Sequence, residues 1–122
     1  LLPYKATELV KALKETVKIP IQLHTHYTSG VASMTYMKAV EAGVDIIDTA
    51  ISPLSGGTSQ PPTESMVVSL SEMDRNPELN MDALLEVAEY FKPIRDKYME
   101  EKILEKGYTE EEYTKVKKKL LS

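Results

Sequence analysis

Between Pro3 and Ala50 the apolar pattern switches repeatedly between helical and strand-like spacing, and that alternation leaves few architectures open to the chain. Ala6, Leu9, Val10, Leu13 and Val17 recur at helical spacing among Lys and Glu, which predicts an amphipathic helix from Pro3 to Val17. Pro20 disfavours the helical conformation in the residue before it, so Ile21-Gln22-Leu23-His24 reads as a short strand. Thr28-Ser29-Gly30 is a turn, a second helix is expected from about Val31 to Ala42, and Gly43 stops it. Val44 to Ala50 then reads as a second strand. Helix, strand, helix, strand with short connections is the rhythm of a parallel sheet with helical crossovers, the α/β class. Two strands are too few to close a barrel.

A third helix is expected near Pro62, where proline suits the first turn and Glu64 complements the helix dipole, running through Met66, Val67 and Leu70. Past Glu72 the strand-like segments disappear, and the polar break Asp74-Arg75-Asn76-Pro77 marks a boundary between residues 1–72 and 73–122. Asn80 is placed to cap a long helix with an apolar stripe of Met81, Leu84, Leu85, Ala88 and Phe91, which Pro93 is expected to kink or end. Thr109 to Glu112 has the pattern of a capping box, followed at helical spacing by Tyr113, Val116 and Leu120. Lys115, Lys117, Lys118 and Lys119 then fall at a helix C-terminus, where the dipole favours cations, and are read as a solvated face.

The 122 residues carry a net charge of −4, which argues against nucleic acid or an anionic membrane as partner, since both demand a basic excess. Apolar runs such as Val44 to Ile47 are far too short to span a bilayer. The start, Leu1-Leu2-Pro3, has no signal-peptide pattern and no methionine, so the chain is read as a piece that lacks an earlier segment. Cysteine is absent, which removes disulfides and thiolate metal sites and agrees with the expected cytoplasmic setting.

The two histidines of the chain, His24 and His26, stand at the end of the first predicted strand. Residues i and i+2 of a strand share a face, so both imidazoles can converge on one ion while Thr25 points away. By itself His-x-His admits a metal site or a hydrogen-bonded structural pair. A metal would require further ligands, and with no other His or Cys available these would be carboxylates. Asp45 and Asp48 are near in sequence but are read as surface or sheet-capping residues. The loop from Ser52 to Pro62 has paired glycines and the neutral hydrogen-bonding groups of Thr58, Ser59 and Gln60. It suits either a carboxylate or phosphate, or a purely structural turn into the next helix.

His24-Thr25-His26-Tyr27-Thr28-Ser29-Gly30, then Glu41 to Ala50, then Gly57-Thr58-Ser59-Gln60-Pro61 form an ordered series that resembles the biotin-dependent carboxyltransferases over about Leu1 to Val68. That family comprises the carboxyltransferase domain or subunit of pyruvate carboxylase, the alpha subunit of oxaloacetate decarboxylase and the pyruvate-binding subunit of transcarboxylase. The resemblance implies the last strands of a TIM (β/α)8 barrel followed by a helical extension. His24 and His26 would be metal ligands on the seventh strand, Val44 to Ala50 the eighth strand, and Leu1-Leu2 the segment after the sixth.

The same resemblance implies zinc, manganese or cobalt as the metal, with an aspartate near the first strand and a carboxylated lysine before Leu1 as the other ligands. Biotin on a carrier domain or partner, and pyruvate or oxaloacetate, would be the reactants, the metal stabilising the pyruvate enolate. Thr28, Ser29, Thr58, Ser59 and Gln60 are the candidate substrate-binding residues. No catalytic residue is assigned within the chain: the family's proton-shuttling threonine belongs to a later segment, and Thr58 does not inherit its role. Tyr27 stands where many pyruvate carboxylases carry aspartate, and residues 102–122 have no clear counterpart.

The complete enzyme is expected to be a homo-oligomer that includes the remaining barrel segment, and the isolated chain to be inactive. Two alternatives stay open: an acyl-CoA lyase or synthase of the same superfamily, and a non-catalytic interaction module.

Overall fold

A computed structural model describes residues 1–107 and 109–121, which divide into two compact units, residues 1–88 and 89–122. The first unit is α/β. Helix α1 (Pro3–Thr16) leads into β1 (Gln22–Leu23), α2 (Ala32–Glu41), β2 (Ile46–Ile47) and α3 (Thr63–Leu70). The strands pair in parallel, Gln22 opposite Ile46 and Leu23 opposite Ile47. The expected order of elements therefore stands, although the paired ladder is shorter than the apolar runs that predict it. Among the described residues, no helix is long and apolar enough to cross a membrane.

Each helix buries the face its sequence marks. Ala6 and Val10 of α1 meet Tyr36, Ala39 and Val40 of α2, and Val44, Met66 and Leu70 complete the cluster, with Ile21, Leu23 and Ile47 packed against it. Gly43, at φ +103°, takes the left-handed conformation that ends α2 and returns the chain toward the sheet.

At the lower edge of the sheet, one oxygen of Asp45 accepts both the Ile21 N–H (2.8 Å) and the Lys14 ammonium (2.9 Å). Those two donors hold the Asp45 carboxyl below the usual aspartate range, the Ile21 N–H contributing most. Asp45 thus caps the sheet, as its position suggests. Pro62 sits at the N-cap of α3 rather than inside its first turn.

Helix α4 (Met81–Glu105) starts where expected: the Asn80 side chain accepts the Ala83 N–H at 3.0 Å. Pro93 lies inside this helix and does not end it. Proline removes one backbone donor and crowds the preceding turn, but twelve residues on either side of the break supply the remaining bonds. The anticipated apolar stripe is only partly used, for Ala88 is buried while Leu85 is half exposed. In the second unit, α5 (Glu110–Leu121) opens on the capping box: Thr109 Oγ1 accepts the Glu112 N–H, and the Glu112 carboxylate accepts the Thr109 N–H at 2.8 Å. The side chain of Leu120 lies outside the described residues.

Candidate metal centre

Because Gln22 and Leu23 register with Ile46 and Ile47, the chain leaves the sheet with His24 beside Asp48. The Asp48 carboxylate accepts the His24 Nδ1–H at 2.8 Å, while its second oxygen accepts the Gln22 amide, also at 2.8 Å. Those two bonds, that of His24 foremost, hold the Asp48 carboxyl below its ordinary range, so it is an acceptor only. His26 Nδ1 in turn faces the Thr58 carbonyl oxygen at 2.5 Å, and a carbonyl oxygen also can only accept. Both Nδ1 atoms are therefore donors, and both neutral rings keep their lone pairs on Nε2.

The two Nε2 atoms stand 3.3 Å apart, with the rings edge to face. Two acceptors cannot hydrogen-bond each other. Two nitrogens bound to one divalent ion at about 2.0–2.1 Å, at angles from right to tetrahedral, would lie roughly 2.9–3.4 Å apart, so the spacing fits an ion held between them. An imidazole whose other nitrogen donates to a carboxylate or a backbone carbonyl is the usual form of a metal-binding histidine. The donor set therefore suits a divalent ion such as zinc, manganese or cobalt. Among the described residues, no group of three or more His, Cys, Asp or Glu converges on this point.

The loop after β2 is ordered around the pair. Ala50 donates to the Pro61 carbonyl and Thr63 to the Ala50 carbonyl, which closes the loop at its base. Gly56 and Gly57 take φ of +81° and +52°, a left-handed pair that other residues adopt only with strain. The turn brings Gln60 Nε2 to 3.2 Å from His24 Nε2, to which it donates. Its 3.5 Å approach to His26 Nδ1 joins two donors and is no bond.

Of the residues read as substrate-binding, Thr58 and Gln60 thus reach the imidazoles, Thr58 through its backbone. Ser59 offers its carbonyl to the Tyr27 N–H (2.8 Å) and its hydroxyl to the Gln60 side chain. Thr28 and Ser29 lie exposed in the turn that Gly30 N–H closes on the Tyr27 carbonyl, and neither side chain is bonded to a histidine.

Two contributors escape a reading of the sequence. Asp48, expected at the surface or the sheet edge, orients His24; the strand register is the signal that could have placed it. Tyr36 reads in sequence as one more apolar residue of α2. It is fully buried, and its phenol oxygen accepts the Thr25 N–H at 3.1 Å. Burial pushes its phenol above the ordinary tyrosine range, so it stays neutral.

A family profile described as HMGL-like matches residues 1–91. The chain belongs to the HMGL-like family. Among its HMGL-like relatives, a pyruvate carboxylase subunit of Methanocaldococcus jannaschii is 52% identical over 98 residues, which are 80% of this chain and 17% of that protein. The methylmalonyl-CoA carboxyltransferase 5S subunit of Propionibacterium freudenreichii subsp. shermanii is 44% identical over 79% of this chain and 19% of its own length.

The carboxyl transferase domain of Rhizobium etli pyruvate carboxylase, solved with oxamate and biotin, aligns with a TM-score of 0.78 and 45% identity, covering 80% of this chain and 16% of that one. The resemblance to the biotin-dependent carboxyltransferases is borne out. The chain spans less than a fifth of the length of these relatives.

Proposed function

We propose that this HMGL-like chain supplies the two-histidine half of the metal centre of a biotin-dependent carboxyltransferase that moves a carboxyl group between carboxybiotin and pyruvate or oxaloacetate. The observation that carries the reading is the convergence of two lone-pair-bearing Nε2 atoms at 3.3 Å, each ring fixed through its Nδ1. The carboxyltransferase relatives support the reaction class, and two solved complexes of one of them, with biotin and with biocytin, support biotin as the other reactant.

In this reading residues 1–72 are the last strands and helices of a TIM barrel and residues 73–122 a helical post-barrel segment. The remaining barrel, with its carboxylate and lysine-derived ligands, comes from outside these 122 residues. The complete enzyme is a homo-oligomer served by a biotin carboxyl carrier in the cytoplasm, and the isolated chain is inactive.

A bound divalent ion supplies Lewis-acid polarisation of the substrate carbonyl. The chain's own residues prepare for it. Asp48 and the Thr58 carbonyl hold protons on the two Nδ1 atoms, so that Nε2 of each ring remains a base. Neutral imidazoles leave an ion's positive charge undiminished, whereas each carboxylate ligand would reduce it. Gln60, and with it Thr58 and Ser59, lines the open side of the pair and offers neutral donors to a substrate carboxylate; Thr28 and Ser29 stand at the mouth.

The test is metal content and turnover of the chain assembled with the missing barrel segment. His24→Ala and His26→Ala are each expected to lower bound metal and to abolish pyruvate-dependent carboxyl transfer. Unchanged metal content would refute the ligand assignment, and turnover of acyl-CoA substrates in place of pyruvate would move the chain to the lyase or synthase branch.

A further inference from the structure

We propose that Tyr36 is a positioning residue for the histidine pair, holding the backbone of Thr25 between the two imidazoles through its phenol oxygen. The inference rests on the reading of His24 and His26 as metal ligands. Tyr36 is fully buried and sits in the cluster formed by Val10, Ala39, Val40 and Met66, so its ring is fixed by packing on several sides. Packing alone does not call for an oxygen there, since phenylalanine would fill nearly the same volume. A buried phenol oxygen requires a partner, and the Thr25 N–H is that partner at 3.1 Å.

The position of that bond gives it a purpose. Thr25 lies beyond the last paired residue of β1, so no ladder bond holds its peptide. The next tether along the chain is the Tyr27 N–H, which donates to the Ser59 carbonyl at 2.8 Å. The segment that carries both imidazoles is thus pinned at Thr25 from the core and at Tyr27 from the loop. The 3.3 Å separation of the Nε2 atoms depends on the two residues keeping one extended geometry. Without the phenol oxygen, the Thr25 peptide can rotate and the rings diverge.

The experiment is a Zn2+ titration of the 122-residue chain, wild type and Tyr36→Phe, followed by the NMR signals of the imidazoles. Tyr36→Phe keeps the ring and is expected to weaken Zn2+ binding about tenfold, the low end of the effect of removing an outer-shell support. Equal affinity in the two proteins overturns the proposal. His24→Ala and His26→Ala serve as the reference: each should abolish saturable binding, and wild-type-like binding in both would overturn the metal reading together with the proposal. Loss of saturable binding in the histidine variants with none in Tyr36→Phe removes the role of Tyr36 alone. Should Tyr36→Phe fail to fold, hydrogen exchange of the Thr25 amide in the wild type decides. Slow exchange is expected, and exchange at the rate of an unprotected amide overturns the tether.

Discussion

The Asp48 carboxylate takes the Nδ1–H of His24 at 2.8 Å, from the strand that neighbours it rather than its own. This bond fixes the tautomer that leaves Nε2 unprotonated. Asp48→Asn keeps the size of the side chain but no longer presents two acceptor oxygens, and outer-shell partners of this kind are worth about 10–100-fold in metal affinity. We expect a loss in that range, read by competition with a chromophoric chelator, and an unchanged affinity would show that Asp48 only caps the sheet.

Gln60 acts in the opposite direction. Its amide donates to His24 Nε2 at 3.2 Å, the lone pair that an incoming ion needs. Removing it with Gln60→Ala relieves binding of that competing bond. A net hydrogen bond of about 0.5–1.5 kcal/mol corresponds to metal affinity roughly 2- to 12-fold tighter. Weaker binding in calorimetric titration would mean that Gln60 supports the ion.

Asp45 governs the acid side of stability. Its folded carboxyl titrates below the ordinary aspartate value of about 3.9, so the stabilisation is complete above that value and disappears as pH falls through the folded one. Urea unfolding should therefore show Asp45→Asn less stable than wild type at neutral pH, with the gap closing as the medium becomes strongly acid. A gap independent of pH would assign the effect to packing.

Asn80 caps α4 through the Ala83 N–H at 3.0 Å. Asn80→Ala is expected to cost about 0.5–2 kcal/mol and Asn80→Gly only a few tenths. Faster amide exchange confined to the first turn of α4 would accompany the loss, and unaltered exchange there would count against the cap.

Much of this is legible in the chain. The α1, β1, α2, β2 order follows from the change of apolar period, and the shared face of His24 and His26 from the two-residue repeat of a strand. What a single strand cannot reveal is its lateral neighbour: Asp48 meets His24 only through the offset between β1 and β2, which no local pattern encodes. Tyr36 is hidden for a different reason, because an inward aromatic on a helix looks the same in sequence whether or not its oxygen is used. Thr58 draws notice for its hydroxyl, yet it serves through a carbonyl that every residue possesses. Pro93 suggests a break in α4, but the bonds on both sides of a proline can carry a long helix through it.

One oxygen of Asp45 gathers the end of α1, the start of β1 and the start of β2 into a single knot. Side chains alternate along a strand, so a slip of one residue between β1 and β2 would turn both imidazoles to the opposite face of the sheet. The knot acts as a phase lock: it sits at the far end from the histidines, yet it decides toward which side they look. Damage at the base of this sheet would thus be felt as blindness at its top, with every ligand still present in the sequence.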